Sequence, residues 1–384
     1  MAARSPDEQH RAATPLELLF DLVFVVAVAR ASSQLHHGIA DAHVADALLG
    51  YSMVFFGIWW AWMNFTWFAS AYDTDDVAYR LAVFVQLVGA LIFAAGVTRL
   101  FVGDLLIGVI GYVVMRLALV GQWVRAARSD PERRPACLRF ALGVGTVQLG
   151  WVALLALPQS MVTTGFLILA ILELAVPIWA ERAAHTTWHP EHISERYGLF
   201  TIIVLGESIL AGSLAIESAA EAGLLSTDLV STVAGGLMIV LVMWWLYFER
   251  PFEWRLRSFS LAFIWGYGHL PIWAAAAVGA GLSVAIDEVI GEATIGVVGA
   301  GAAVAIPAAI YLFGLWALHL PMANSPADRF LAPVAVVLIL LTPWTGEAPL
   351  LTGLALVGLL VAKHLFARRA VSAEGWISRS ESSR

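Results

Sequence analysis

Long apolar runs of about twenty residues follow one another along almost the whole chain, and they constrain its fold more than any single motif does. A helix needs about 20 such residues to cross the ~30 Å hydrocarbon core of a bilayer. About twelve runs can be read, over residues 16–35, 47–69, 80–99, 102–124, 138–157, 161–180, 196–215, 229–248, 258–281, 294–318, 328–343 and 349–366. The eleventh is the shortest. The runs are continuous rather than alternating, which excludes membrane β-strands. Of the 384 residues, 60% are hydrophobic and 13% charged, against roughly 45–50% and 25% in a soluble domain. The sequence predicts an all-α polytopic membrane protein with about twelve transmembrane helices and no sizeable soluble domain.

The basic residues test the count. Nineteen of the 22 Lys and Arg fall in the termini and loops of one side, among them Arg125, Arg128, Arg133, Arg134 and Arg139 after the fourth run. The opposite loops carry Asp41, Asp46, Glu217, Glu221, Asp228, Asp287, Glu288 and Glu292. Basic residues stay cytoplasmic, so both termini are expected in the cytoplasm of a multi-pass protein. Glu17 and Asp21 interrupt the first run, which is therefore expected to be kept as a span rather than cleaved as a signal peptide. The net charge of -7 excludes nucleic acid as a partner, because that binding needs a basic surface. The single cysteine, Cys137, excludes a disulfide framework or a cysteine-built metal site. No cofactor is expected. The expected partners are membrane lipids and a small ion or solute, with room for a homo-oligomer.

The two halves look alike. Residues 57–62 (GIWWAW) match 242–247 (VMWWLY) at an offset of 185, and a short charged loop follows each. Asp73, Asp75, Asp76 and Arg80 form the first loop; Glu249, Arg250, Glu253, Arg255 and Arg257 form the second. Six spans per half is even, so both halves enter from the same face as parallel repeats. The expected organisation is a cytoplasmic segment 1–15, a first six-helix repeat 16–183, a second 184–368 and a polar cytoplasmic tail 369–384.

Charges inside the spans are the best pointers to function, because each costs at least ~2.5–3.5 kcal/mol at the bilayer centre and faces a bundle interior or cavity. Glu17 and Asp21 stand at i and i+4 and share a helix face that Phe24, Val28 and Ser32 continue. They read either as pathway groups or as an anchor tied to an arginine at the cytoplasmic end. Arg196, Phe200, Ile203 and Glu207 share a face of the seventh run, with Glu207 about 16 Å beyond Arg196 at ~1.5 Å per residue. Arg116 can answer Asp21, Glu173 or Glu207. His269, before Pro271, reads as a titrating group or as a neutral hydrogen-bonded imidazole. His36, His37 and His43 on one side and His185, His189 and His192 on the other match no strong ligand spacing, so no metal is expected.

Four stretches resemble the bacterial low temperature requirement protein A family. They are Thr14 to Val25 (TPLELLFDLVFV), Trp59-Trp60 with the acidic loop through Asp76, Glu195 to Ile209 (ERYGLFTIIVLGESI), and Trp244 to Phe248 followed by His269-Leu270-Pro271. Leu19 and Glu249 stand where the family pattern has an aromatic and an aspartate. The resemblance implies a bacterial polytopic membrane protein associated with growth at low temperature. The duplicated six-helix architecture is also similar to that of the endolysosomal and bacterial potassium-channel family. That family's R-x-x-x-F-S-D motif is matched only loosely, by Phe20-Asp21 without the intervening serine.

The resulting expectation is a channel or transporter for a small ion or solute in the cytoplasmic membrane. Its pathway groups would be Glu17, Asp21, Arg116, Glu173, Arg196, Glu207 and His269. The alternatives are a membrane enzyme acting on a lipid or isoprenoid, and a structural or regulatory protein whose buried charges are paired and inert.

Overall fold

The structure is a computed structural model that describes residues 1, 3–5, 8, 11–221, 223, 224, 226–249, 256, 258–275, 277–320 and 326–381. Arg250, Glu253, Arg255 and Arg257 of the second charged loop, position 276 of the ninth run and Arg384 lie outside these residues.

The described residues form helices α1 (Pro15–Ala40), α2 (Val44–Tyr72), α3 (Val77–Phe101), α4 (Leu106–Ser129), α5 (Arg134–Leu154), α6 (Gln159–Glu181) and α7 (Pro190–Glu221). They continue with α8 (Thr227–Phe248), α9 (Phe259–Ala274), α10 (Ala277–Ile290), α11 (Val297–His319), α12 (Pro326–Leu341), a 3-10 turn Thr342–Thr345, and α13 (Ala348–Glu381). There are no strands among the described residues. By length and composition, 10 segments among the described residues can cross a membrane, with α9 and α10 counted together as Ser260–Ile290. Helix α1 is not among them, and Arg329–Thr345 is a shorter apolar segment. This is a multi-pass, all-helical membrane protein.

Local chemistry moves several boundaries from their sequence positions. Helix α4 starts at Leu106 rather than at residue 102. Gly103 takes φ +82, which reverses the chain after α3. Asp104 Oδ1 then accepts the Leu106 N–H at 3.2 Å. Helix α7 starts six residues early, at Pro190, because a proline at the first helical position gives up only an N–H that the helix leaves unused anyway. The ninth run is two helices, α9 and α10, and Pro271 stands inside α9. Helix α13 continues through the polar segment expected as a tail, although its apolar part ends at Phe366.

The chain forms two compact units. One comprises Met1–Leu35, Val44–Val204 and Phe252–Leu261; the other comprises His36–His43, Leu205–Pro251 and Ala262–Arg384. In the first unit α3 and α4 touch backbone to backbone. A Cβ on Gly89 would sit 2.8 Å from the Gly111 carbonyl oxygen, and one on Gly111 would overlap the Phe93 backbone. Small residues that allow such approach are how membrane helices gain packing energy without a hydrophobic drive. Around this pair, Trp59, Trp60 and Trp62 of α2 are fully buried. Of the residues that align with them at the offset of 185, Trp244 and Trp245 of α8 face outward at 46% and 47% exposure, whereas Tyr247 is buried. In the second unit Gly235 of α8 lies directly against the backbone of Pro349 and Leu350 in α13.

Candidate functional site

Two local caps aim the charges of α1 and α7. Thr14 precedes Pro15, and the Glu17 N–H reaches Thr14 Oγ1 at 3.3 Å while the Thr14 N–H donates to Glu17 Oε2 at 2.8 Å. This reciprocal box satisfies two of the donors that a helix start leaves open, and it fixes the Glu17 carboxylate. At the start of α7 the His189 carbonyl accepts the Ile193 N–H at 3.0 Å, and His189 Nδ1 accepts the His192 N–H at 3.3 Å. With Nδ1 accepting, the ring proton is on Nε2, which donates to the Glu8 carbonyl at 2.6 Å. His192 and Arg196 then stand one turn apart on one face of α7.

These caps converge on a buried ionic cluster. Arg196 donates from Nη2 and Nε to the two oxygens of Asp21, at 2.6 and 3.0 Å. Its Nη1 lies 2.9 Å from Glu17 Oε1, and His192 Nε2 lies 3.0 Å from the same oxygen. Trp62 Nε1 donates to Asp21 Oδ1 at 2.7 Å. The guanidinium also lies 5.9 Å from the Trp62 ring centroid and 6.0 Å from that of Phe65, which adds cation–π attraction. Arg196 and His192 are 0% exposed, and Glu17 and Asp21 are 1% exposed. Here two carboxylates face one guanidinium.

A second cluster in the same unit is balanced one to one. Arg116 of α4 donates from Nη2 to Glu173 Oε2 of α6 at 2.7 Å and to Asn64 Oδ1 at 3.3 Å. Glu173 also accepts from Trp60 Nε1 at 2.8 Å, Gln148 Nε2 at 3.1 Å, Trp151 Nε1 at 3.2 Å and the Tyr112 hydroxyl at 3.3 Å. Five donors on one buried carboxylate match the many bonds an ion needs away from water. Of the three partners open to Arg116 in the sequence, the structure selects Glu173.

The remaining predicted residues belong to the second unit. Glu207 is buried in the middle of α7, beside the buried Ser208. His269 Nδ1 stands 2.7 Å from the Trp265 carbonyl, and its Nε2 stands 3.0 Å from the Tyr247 hydroxyl. A carbonyl can only accept, so Nδ1 carries a proton, and both ring nitrogens have a hydrogen-bond partner. The structure thus brings Glu17, Asp21 and Arg196 together, and separately Arg116 and Glu173. The histidine groups also resolve. His185 approaches Glu181 at 3.4 Å, and His36 meets Asp287 at 2.5 Å. Among the described residues no group of three or more His, Cys, Asp or Glu side chains could hold a metal.

The sequence reading missed His192 and Trp62 as partners of the first cluster, and Trp60, Gln148 and Trp151 as partners of the second. Of these, His192 reads from the sequence only as a metal-ligand candidate, and Gln148 gave a signal as a polar residue inside a span. Outside the spans, the loop between α2 and α3 holds two carboxyls in opposite states. Burial pushes the Asp73 carboxyl up from its ordinary value, and the nearby Glu17 charge adds to the rise. Asp76 caps α3, and hydrogen bonds from Arg125 and from the Tyr79 N–H hold its carboxyl down.

The chain is 26% identical over 282 residues to an uncharacterized protein of Rhizobium meliloti (strain 1021), covering 69% of this chain and 67% of that one. No solved structure matches it. The sequence pattern described as bacterial low temperature requirement A protein (LtrA) matches residues 12–365. That stretch holds both ion-pair clusters and nearly every helix, and the chain belongs to the bacterial low temperature requirement A (LtrA) family.

Proposed function

We propose that this protein is a channel or transporter for a small ion or solute in the bacterial cytoplasmic membrane, and that the carboxylates of α1 and α7 act in it. The chain crosses twelve times as two parallel six-helix repeats, with both termini in the cytoplasm. The ten clear spans, α1 and the short segment Arg329–Thr345 supply that number.

The observation that carries the reading is the charge balance at Arg196. Glu17 and Asp21 together outnumber the guanidinium by one negative charge. Burying an uncompensated ion costs several kcal/mol, so the cluster calls for one more proton or cation. His192, in contact with Glu17, is placed to take that proton. Histidine is the side chain whose ordinary pKa lies in the physiological range. Arg11 and Asp73 add one charge of each sign to the surroundings and leave the balance unchanged. Taking up and releasing one proton at such a cluster is the elementary step of a proton-coupled conduit. Glu207 supplies a second buried carboxyl further along α7. A scaffolding role suits Arg116 and Glu173, whose charges cancel.

The test is flux through the purified protein in liposomes, with proton, sodium, potassium and chloride gradients. Wild type is compared with Asp21→Asn and Glu207→Gln variants shown to be folded. Flux above that of empty vesicles, altered in rate or pH dependence by the substitutions, is the expected result. Flux equal to that of empty vesicles for every ion overturns the reading for those ions and turns attention to the scaffold and enzyme alternatives.

A further inference from the structure

The second unit holds a cavity that none of the ionic chemistry uses. It measures about 230 Å³ and lies between α7, α8 and α10, lined by Ser208, Gly212, Ile216, Thr232, Gly236 and Leu282 among others. None of its lining side chains is charged. A dehydrated ion would find no counter-charge there, and its burial would cost several kcal/mol. The occupant must therefore be neutral.

The mouth and the depth narrow the choice. Ile209 and Leu237 line the cavity and face outward at 53% and 54% exposure. In a membrane span such an apolar rim opens towards hydrocarbon, so the ligand arrives from the bilayer. The floor is polar at one deep point. Ser208 is 1% exposed, and its Oγ has no hydrogen-bond partner among the described residues. It lies eight residues, about 12 Å, along the helix from Ile216, whereas the acidic outer end of α7 begins at Glu217. A half-bilayer of hydrocarbon is about 15 Å thick, so this hydroxyl is near the midplane, below the ester groups of a phospholipid. Thr232 and the exposed Ser213 add two further hydroxyls at the shallower end.

We propose that this cavity binds a neutral lipid that carries a hydroxyl or carbonyl oxygen on a hydrocarbon body, such as a long-chain alcohol or a quinone, with the oxygen on Ser208. The hydrocarbon lies along Ile216, Val240 and Leu282. The missing side chains of Gly212 and Gly236 make the room. This binding is independent of ion flux, and its test does not require transport.

The experiment is photolabelling of the full-length protein in phosphatidylcholine vesicles with a diazirine-bearing hexadecanol, set beside the same diazirine on hexadecane. Labelled peptides are then mapped by mass spectrometry. The alcohol label is expected to concentrate on residues 208–216 and 232–240 and to be displaced by unlabelled hexadecanol. Gly212→Leu should abolish it, because a Cβ at Gly212 meets nothing within 4 Å and the added side chain can enter the cavity without strain. Ser208→Ala loses one hydrogen bond and should weaken alcohol labelling by about 2- to 10-fold, leaving hydrocarbon labelling unchanged. Alcohol label spread evenly over outward-facing helices, equal labelling by alcohol and hydrocarbon, or undiminished labelling of a folded Gly212→Leu protein would each overturn the proposal.

Discussion

Replacing Arg196 by methionine puts a number on the buried cluster. The substitution keeps an unbranched side chain of similar reach and removes the charge. It breaks the two bonds to Asp21, at 2.6 and 3.0 Å, and the 2.9 Å approach to Glu17. Two carboxylates then remain buried against each other. Removing one partner of a buried pair costs roughly 3–5 kcal/mol, mostly because the survivor cannot regain water. That corresponds to roughly 150- to 5,000-fold in the folding equilibrium. Reversible unfolding by SDS titration, read by tryptophan fluorescence, measures the change. Adding Glu17→Gln and Asp21→Asn to Arg196→Met should recover most of the loss, because no buried charge then remains. Arg80→Met is the internal control. Arg80 meets Asp75 at 2.7 Å, but both side chains are more than half exposed, so no measurable change is expected. The reasoning fails if Arg196→Met behaves like Arg80→Met, or if the triple variant is no more stable than the single one.

The Arg116 and Glu173 pair should follow the same rule with a balanced charge. Arg116→Met or Glu173→Gln alone should lower stability by about 3–5 kcal/mol, and Arg116→Met with Glu173→Leu should recover at least half of it; SDS titration of the three variants decides. At the loop between α2 and α3, the two carboxyls should respond to pH with opposite signs. Asp76, held below its ordinary value, adds stability that is fully present above the unfolded pKa of about 3.9 and is lost as pH falls through the lower folded value. Asp73, raised by burial, subtracts stability at neutral pH, and that penalty vanishes on acidification through its raised folded value. At pH 7 Asp73→Asn should therefore raise the melting temperature and Asp76→Asn should lower it; at pH 4 the Asp73 difference should shrink while the Asp76 difference stays nearly full, in thermal unfolding by circular dichroism.

The membrane class and most helix positions were legible in the sequence because a bilayer demands long apolar runs and little else. The shared face of Glu17 and Asp21 was legible too, since i and i+4 spacing fixes it whatever surrounds the helix. Partners were not. Arg116 had three candidate carboxylates, and only the packing of α4 against α5 and of α5 against α6 brings Glu173 within reach. Trp60, Trp62 and Trp151 read as apolar bulk, yet each spends its indole N–H on a carboxylate. His192 was hidden behind Pro190, which breaks a helix in its interior but opens one at its first position.

The distance along the chain between Asp21 and Arg196 bears on how the protein is made. Their bond joins residues 175 positions apart. A ribosome adding about 5–20 residues per second needs roughly 9–35 s to travel that far. Over that interval the first helix has emerged with Glu17, Asp21 and Arg30 and without the guanidinium that pairs with both carboxylates. The ion pair that buries Glu17 and Asp21 therefore forms only after the seventh helix has been made.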